Sequence, residues 1–95
     1  MIAVGVCRVR LHIAESASLK DKRQVVRSAV QRMRRHFNVS VAEIEDLDSW
    51  TTATLGIVCV SNEAPHAHGL LSRAVEWLAQ ERLDADIGEV SIEVW

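Results

Sequence analysis

Apolar and polar residues alternate along the first part of the chain. Small or apolar residues occupy the odd positions from Ala3 to Ile13, whereas Arg8, Arg10 and His12 occupy even positions. A period of two is the spacing of side chains on one face of a strand. The pattern predicts a strand over residues 2–13 whose odd-numbered face packs against the core.

A helical period follows this strand. Ser18 and Asp21 are spaced as in a capping box, so we expect a helix to start there and to end near residues 36–38. Apolar residues recur at intervals of three and four along it, which predicts one buried face. That apolar stripe consists of Val26, Ala29, Val30, Met33 and Phe37.

The next segments predict a hairpin. Residues 39–45 are rich in β-branched side chains, residues 46–49 have turn chemistry, and residues 51–61 form a nearly continuous β-prone run. Asn62 is a candidate N-cap for a second helix, and Pro65 suits its first turn. The apolar arc of that helix consists of Ala67, Leu70, Leu71, Ala74, Val75 and Leu78.

The polar stretch at residues 84–88 ends the helical pattern. Val90, Ile92 and Val94 then alternate with polar residues, which predicts a last strand. The order βαββαβ favours a ferredoxin-like α+β fold, in which a four-stranded antiparallel sheet carries two helices on one face. With 95 residues and 48% hydrophobic composition, we expect residues 1–95 to form a single domain.

The formal net charge of -2 hides an uneven distribution. Nine of the eleven Lys and Arg residues lie within residues 1–35, together with only two acidic residues. At 100° per residue, Lys20, Arg23, Arg27 and Arg34 fall within about 60° of one another on the first helix, with Arg35 beyond one edge. This basic stripe predicts contact with RNA or a ribosomal particle. The alternative is an ordinary solvated helix exterior.

The sheet face that the helices leave open has two predicted regions. Arg8, Arg10 and His12 face Glu89 and Glu93 of the neighbouring last strand, and we expect cross-strand ion pairs. The two central strands offer no aromatic ring, which disfavours the base stacking used by RRM-type RNA readers.

Apolar residues also fall on this open face. We predict a homodimer interface there, with docking on another protein or coverage by residues 46–50 as alternatives. Trp50 shares the parity of the outward residues of its strand and is expected either to cap the patch or to close one end of the core. The predicted interface consists of Ile2, Val4, Val6, Val58, Val60 and Trp50, which Val39 and Val41 extend.

Catalytic and metal-binding patterns are weak. His66 and His68 point about 200° apart on a helix, and no zinc spacing completes them. Cys7 and Cys59 lie in apolar strands, where thiols are usually inert. Arg23 and Asn62 resemble the residue pair of ferredoxin-like acylphosphatases, but residues 14–20 contain no glycine for a phosphate cradle. We expect neither a metal nor a cofactor nor an enzyme, with an acylphosphatase-like hydrolase as the least favoured function.

The location follows from the same pattern. The apolar start of the chain is interrupted at Arg8 and lacks the basic start of a signal peptide, so we expect a cytoplasmic protein without membrane contact. A disulfide between the two cysteines is not expected in that compartment.

Three segments carry a family resemblance. They are Ser18-Leu19-Lys20-Asp21-Lys22-Arg23-Gln24-Val25-Val26, then Phe37-Asn38-Val39-Ser40-Val41-Ala42-Glu43, and finally Trp50 with Ala53-Thr54-Leu55-Gly56 and Val60-Ser61-Asn62. Over essentially its whole length the chain resembles the bacterial YlxP-like family. The resemblance implies a single ferredoxin-like domain of unestablished role, encoded near translation factors, and it carries no catalytic residues.

Overall fold

The computed structural model describes residues 1–81 and 84–95. Four strands form one antiparallel sheet in the order β2-β3-β1-β4, and the order along the chain confirms the ferredoxin-like α+β fold. The elements are β1 (Ala3–His12), α1 (Leu19–His36), β2 (Ser40–Glu45), β3 (Thr52–Ser61), α2 (Ala64–Gln80) and β4 (Asp86–Val94).

The core lies between the sheet and the two helices. The odd residues of β1 and β3 face it, and Cys7, Leu11 and Leu55 are fully buried. The buried side of α1 consists of Lys22, Val26, Ala29 and Met33, and that of α2 of Ala67, Leu71, Ala74 and Leu78. The period-two prediction for β1 and the helical stripes are therefore confirmed.

The first helix starts where the sequence predicts. Ser18 is the N-cap, and its hydroxyl accepts a hydrogen bond from the Asp21 amide at 3.0 Å. The Asp21 carboxylate in turn accepts from the Ala17 amide at 3.1 Å. The first bond satisfies an amide that the first turn of a helix leaves without a partner, and the second ties the residue before the N-cap to that turn.

The prediction of Asn62 as the second N-cap is wrong. The N-cap is Glu63, whose side chain makes no capping hydrogen bond. Pro65 lies in the first turn of α2 as predicted. The Ser61 hydroxyl accepts from the Glu63 amide at 3.2 Å, so the chain turns one residue later than the residue type of Asn62 indicates.

Two predictions about the strands also need correction. Val41 pairs with Ile57 and is buried, so it belongs to the core face, and Val39 also packs against the core. The last strand begins at Asp86 rather than near Val90, because a bulge opposite Arg10 breaks its alternation. A Cβ atom on Gly88 within this bulge would lie 2.5 Å from the ring of His12.

One buried charge joins α1 to the β2–β3 hairpin. Lys22 is fully buried, and its Nζ lies 2.5 Å from Oε2 of Glu43. Nζ also donates to the carbonyl oxygens of Asp46 at 2.9 Å and Leu47 at 3.3 Å. An ammonium group has three donors, and here all three have acceptors.

We expect Lys22→Met to destabilise the fold strongly. Removing one partner of a buried ion pair leaves the other uncompensated, at about 3–5 kcal/mol. Urea unfolding followed by tryptophan fluorescence measures the change. Lys22→Met combined with Glu43→Leu should recover much of the loss, because it removes both charges.

Lys20→Met is the matched control, since Lys20 is exposed two residues earlier on the same helix. It should change stability by less than about 0.5 kcal/mol. Equal effects of the two single variants would contradict a structural role for the Lys22 ammonium.

Candidate functional site

Five cationic residues form the basic face of α1. They lie on the side of the helix that turns away from the core, and all five are exposed. The basic face consists of Lys20, Arg23, Arg27, Arg34 and Arg35.

The basic face is not neutralised from within the molecule. Among residues 1–81 and 84–95, no acidic side chain forms an ion pair with any of its five members. Arg32, on the opposite side of α1 from Arg23, instead pairs with Glu81 at 3.8 Å. The cations that face outward therefore keep their full charge for a partner.

A groove runs between this face and the edge of the sheet. Arg23, Arg27 and Arg34 line one wall, residues 41–43 of β2 line the other, and the groove encloses about 370 Å³. Arg34 spans it, because its Nη2 donates to the Val41 carbonyl at 2.7 Å. This contact occupies a backbone acceptor of the edge strand and holds Arg34 in a fixed position.

The arginines of the open sheet face are arranged differently. Arg8 forms an ion pair with Glu45, and Arg10 lies 3.9 Å from Asp46 and 3.7 Å from Glu89. The predicted pairing of Glu89 is confirmed. Their charges are compensated within the sheet.

The predicted arginine partner for Glu93 is wrong. Among the described residues its carboxylate accepts from the indole Nε1 of Trp95 at 3.2 Å. Arg8 lies opposite Gly56 on β3, which has no side chain to block it, and extends across that strand to Glu45 on β2.

The predicted apolar residues do share one end of the open face. Val4 pairs with Val60, and Val6 pairs with Val58, so the four valines form two neighbouring rows across β1 and β3. Val60 is 70% exposed, and Ile2, just before β1, is 76% exposed.

The structure does not bring Trp50 to this end. Trp50 precedes Thr52, which pairs with His12 at the opposite end of β1 from Val4. At about 3.3 Å per residue, Trp50 lies roughly 30 Å along the strand from Val60. It is also 55% exposed, so it does not close the core. Parity predicts a face of the sheet but not a position along the strand, and Trp50 precedes Val60 by ten residues.

Trp95 occupies the place predicted for Trp50. Its backbone exchanges hydrogen bonds of 2.9 and 2.8 Å with Val4, so it continues the pairing of β4 with β1. It has the parity of Glu93, which pairs with the outward Val6, and it is 73% exposed. That parity was the sequence signal that could have identified it.

The candidate catalytic residues are not brought together. Asn62 follows β3 at the end of the sheet where β1 begins, whereas α1 and Arg23 follow the other end of β1. His66 and His68 are both exposed, and within the described part of the chain no three metal-ligating side chains cluster.

Both cysteines are buried free thiols. Burial raises the pKa of Cys7 to about 11, from an ordinary value of 9.0. The Cys59 thiol donates to the Ala67 carbonyl at 3.6 Å. Over the described ranges, no helix is both long and apolar enough to cross a membrane.

Comparisons with known proteins complete the description. Residues 4–92 match the family described as "Protein of unknown function (DUF503)". "Uncharacterized protein YlxP" of Bacillus subtilis (strain 168) is 31% identical over 75 residues, which cover 79% of this chain and 82% of that protein. The solved structure of "De novo designed protein Foldit4" is similar with a TM-score of 0.53 at 13% identity, covering 100% of this chain and 97% of that one. The last similarity concerns the fold alone.

We expect Cys7 to resist alkylation in the folded protein at pH 8. Its raised pKa keeps the thiol protonated, and only the thiolate is an effective nucleophile. Mass spectrometry after iodoacetamide treatment should show Cys7 modified in urea but not in buffer. Rapid labelling of Cys7 in buffer would contradict its burial.

The raised pKa of Cys7 also makes the stability of the fold depend on pH. The unfolded thiol ionises near pH 9 while the folded one does not, so the contribution of Cys7 to stability is present below pH 9 and is lost as the pH rises toward 11. A Cys7→Ser variant should lack this alkaline component of the unfolding curve.

Proposed function

We propose that this chain, which belongs to the DUF503 family of proteins of unknown function, binds the phosphate backbone of RNA through the basic face of α1. The RNA is either free or part of a ribosomal particle. The family description assigns no activity, so the proposal depends on the surface of the molecule. It describes a cytoplasmic binding protein and not an enzyme.

The observation that carries the proposal is the contrast between two sets of arginines. Arg8 and Arg10 on the sheet have acidic partners, whereas the described residues provide none for the basic face of α1. Binding of unpaired cations to phosphates releases counterions, which supplies affinity without base recognition. A polyanion therefore gains the most binding affinity on the helix side of the molecule.

The shape of the face supports a backbone contact. From Lys20 to Arg34 the helix rises about 21 Å, at 1.5 Å per residue. Over this length the cations follow one side of α1, and three of them line the groove along β2. Such a line fits phosphates that follow one another along a strand of RNA.

The open sheet face is less suited to RNA. RNA readers of this topology stack bases on aromatic residues of the two central strands. The outward residues of β1 and β3 are instead valines, arginines, threonines and His12, together with Gly56. We therefore infer contacts to phosphate and sugar, with little preference for sequence.

A ribosomal source agrees with the translation context that the resemblance to the YlxP-like family implies. The acylphosphatase-like alternative loses its support, because Arg23 and Asn62 lie at different ends of the sheet. The homodimer hypothesis concerns the opposite face of the molecule and is compatible with RNA binding.

We expect binding to a short fluorescein-labelled oligouridylate to weaken steeply with salt. If four cations contact phosphates, the slope of log K against log salt is about -3 for a single strand. Arg23→Gln with Arg27→Gln should lower the affinity and reduce the slope by about 1.4. Fluorescence anisotropy at several salt concentrations measures both quantities.

The matched control is Arg8→Gln with Arg73→Gln. It removes the same net charge, but Arg8 is paired with Glu45 on the open sheet face and Arg73 is an exposed residue of α2. This variant should retain most of the affinity. A flat salt response, or equal losses in both double variants, would exclude a specific role for the basic face.

Co-sedimentation with purified ribosomal particles distinguishes the two RNA sources. Binding to particles that is much tighter than binding to free RNA, and that is lost with Arg23→Glu and Arg27→Glu, supports the ribosomal source. Equal binding to both supports general RNA affinity.

A further inference from the structure

An aromatic cluster lies at the carboxyl end of α1, where the basic face stops. The ring of His36, the last residue of α1, lies 4.6 Å from the Trp77 ring of α2, centroid to centroid, with 52° between the two planes. The Phe37 ring lies 5.9 Å from the Trp77 ring and meets it nearly edge-on, at 78°. We call His36, Phe37 and Trp77 the terminal aromatic cluster.

The three rings of this cluster differ in exposure. Phe37 and Trp77 are partly buried and pack against the core, whereas His36 is exposed. The ion pair of Arg32 with Glu81 ties the two helices together about one turn away from the same rings. His36 therefore presents a ring to solvent, while its contact with Trp77 holds that ring in place.

A groove leads from the basic face toward the terminal aromatic cluster. It runs over the outer surface of α1 from Arg27 past Gln31 to Arg35 and encloses about 270 Å³. Arg35 directly precedes His36. Consecutive residues are 100° apart around a helix about 11 Å wide, so these two side chains start about 10 Å apart on its surface. A strand whose phosphate lies on Arg35 can reach His36 with a neighbouring base.

We propose that a base of the RNA strand whose phosphates lie on the basic face of α1 stacks on the ring of His36, which Trp77 supports. The inference rests on the proposed function and narrows it to RNA that is single-stranded or has unpaired bases. A base can lie on a protein side chain only after it has left its stack, as it does in loops, bulges and ends.

The construction of the cluster favours stacking over a purely structural role for His36. A ring that is already fixed loses little side-chain freedom when a ligand binds, so more of the contact energy appears as affinity. Within residues 1–81 and 84–95, all aromatic ring contacts belong to this cluster, and it adjoins the basic face. The acid at this end, Glu81, is compensated by Arg32 and so repels a phosphate less.

Stacking at this position agrees with weak sequence preference. Every base has a π-face, so an aromatic side chain accepts any of them, and stacking combined with a line of cations is the usual way to bind single strands without base readout. The aromatic surface that the central strands lack is thus provided at the end of a helix.

Fluorescence anisotropy with two labelled oligomers tests the proposal. One is oligouridylate, and the other is a ribose-phosphate oligomer of the same length without bases. The parent protein should bind oligouridylate about fivefold or more tightly than the abasic oligomer, the effect of one stacked base. His36→Leu should remove most of this difference, whereas His36→Phe should retain it because the ring is kept.

His66→Leu is the matched control, because His66 is also an exposed helical histidine but lies at the start of α2. It should leave both affinities unchanged. His36→Leu should still bind the abasic oligomer as the parent protein does, which shows that the basic face is intact. The urea midpoints of all three variants should lie close to that of the parent protein, since both histidines are exposed.

Four results would overturn the stacking contact. If the parent protein binds both oligomers equally with its salt dependence intact, the phosphate contact stands and the stacking does not. If His36→Leu weakens both oligomers equally, His36 acts through the fold or through charge. If His36→Phe behaves like His36→Leu, the ring is not the binding group. Absence of binding to either oligomer would overturn the proposed function as well.

Discussion

The buried ammonium of Lys22 is the interaction on which the arrangement of this molecule depends. A charged nitrogen without water is tolerated only when all of its donors have partners. Glu43 and the carbonyls of Asp46 and Leu47 supply them, so the first turns of α1 are tied to both the end of β2 and the turn that follows. Asp46 adopts a positive φ of 63°, and its carboxylate accepts the Thr54 hydroxyl at 2.8 Å on the other side of the strand. One charge thereby couples the helix layer to the open face of the sheet.

This coupling determines which way the charges of α1 point. With Lys22 turned inward, Lys20 and Arg23 turn outward, and the basic face follows along the helix.

The edge strand β2 is protected as well. A bare edge strand invites pairing with other chains, and short length, bulges and charged side chains are the usual defences. Here β2 has six residues and a bulge before Glu45, and the Val41 carbonyl is occupied by Arg34.

The sequence predicted the parts of this fold in which a single period persists. β1 alternates without interruption, and both helices keep their spacing of three and four, so their buried faces were identified correctly. Predictions failed where the period alone does not determine the face of a strand, the cap of a helix or the position along a strand, as for Val41, Asn62 and Trp50. Lys22 was not among the residues predicted to be buried, although it precedes Val26 by four residues and so continues the apolar stripe. A lysine is ordinarily expected to be exposed, but the spacing of Lys22 indicated a buried position. The partner of Arg8 could not be derived from the sequence, because Arg8 meets a glutamate on a strand that is not its neighbour.

That pairing is what gives the two faces different chemistry. The net charge of -2 would suggest a molecule that repels a polyanion, and the arginine content of β1 would suggest that the sheet attracts one. The distribution of ion pairs supports neither suggestion, because acidic partners neutralise the sheet arginines and no described acid does so for the basic face of α1. The two surfaces also lie on opposite sides of the sheet, so occupancy of one leaves the other free.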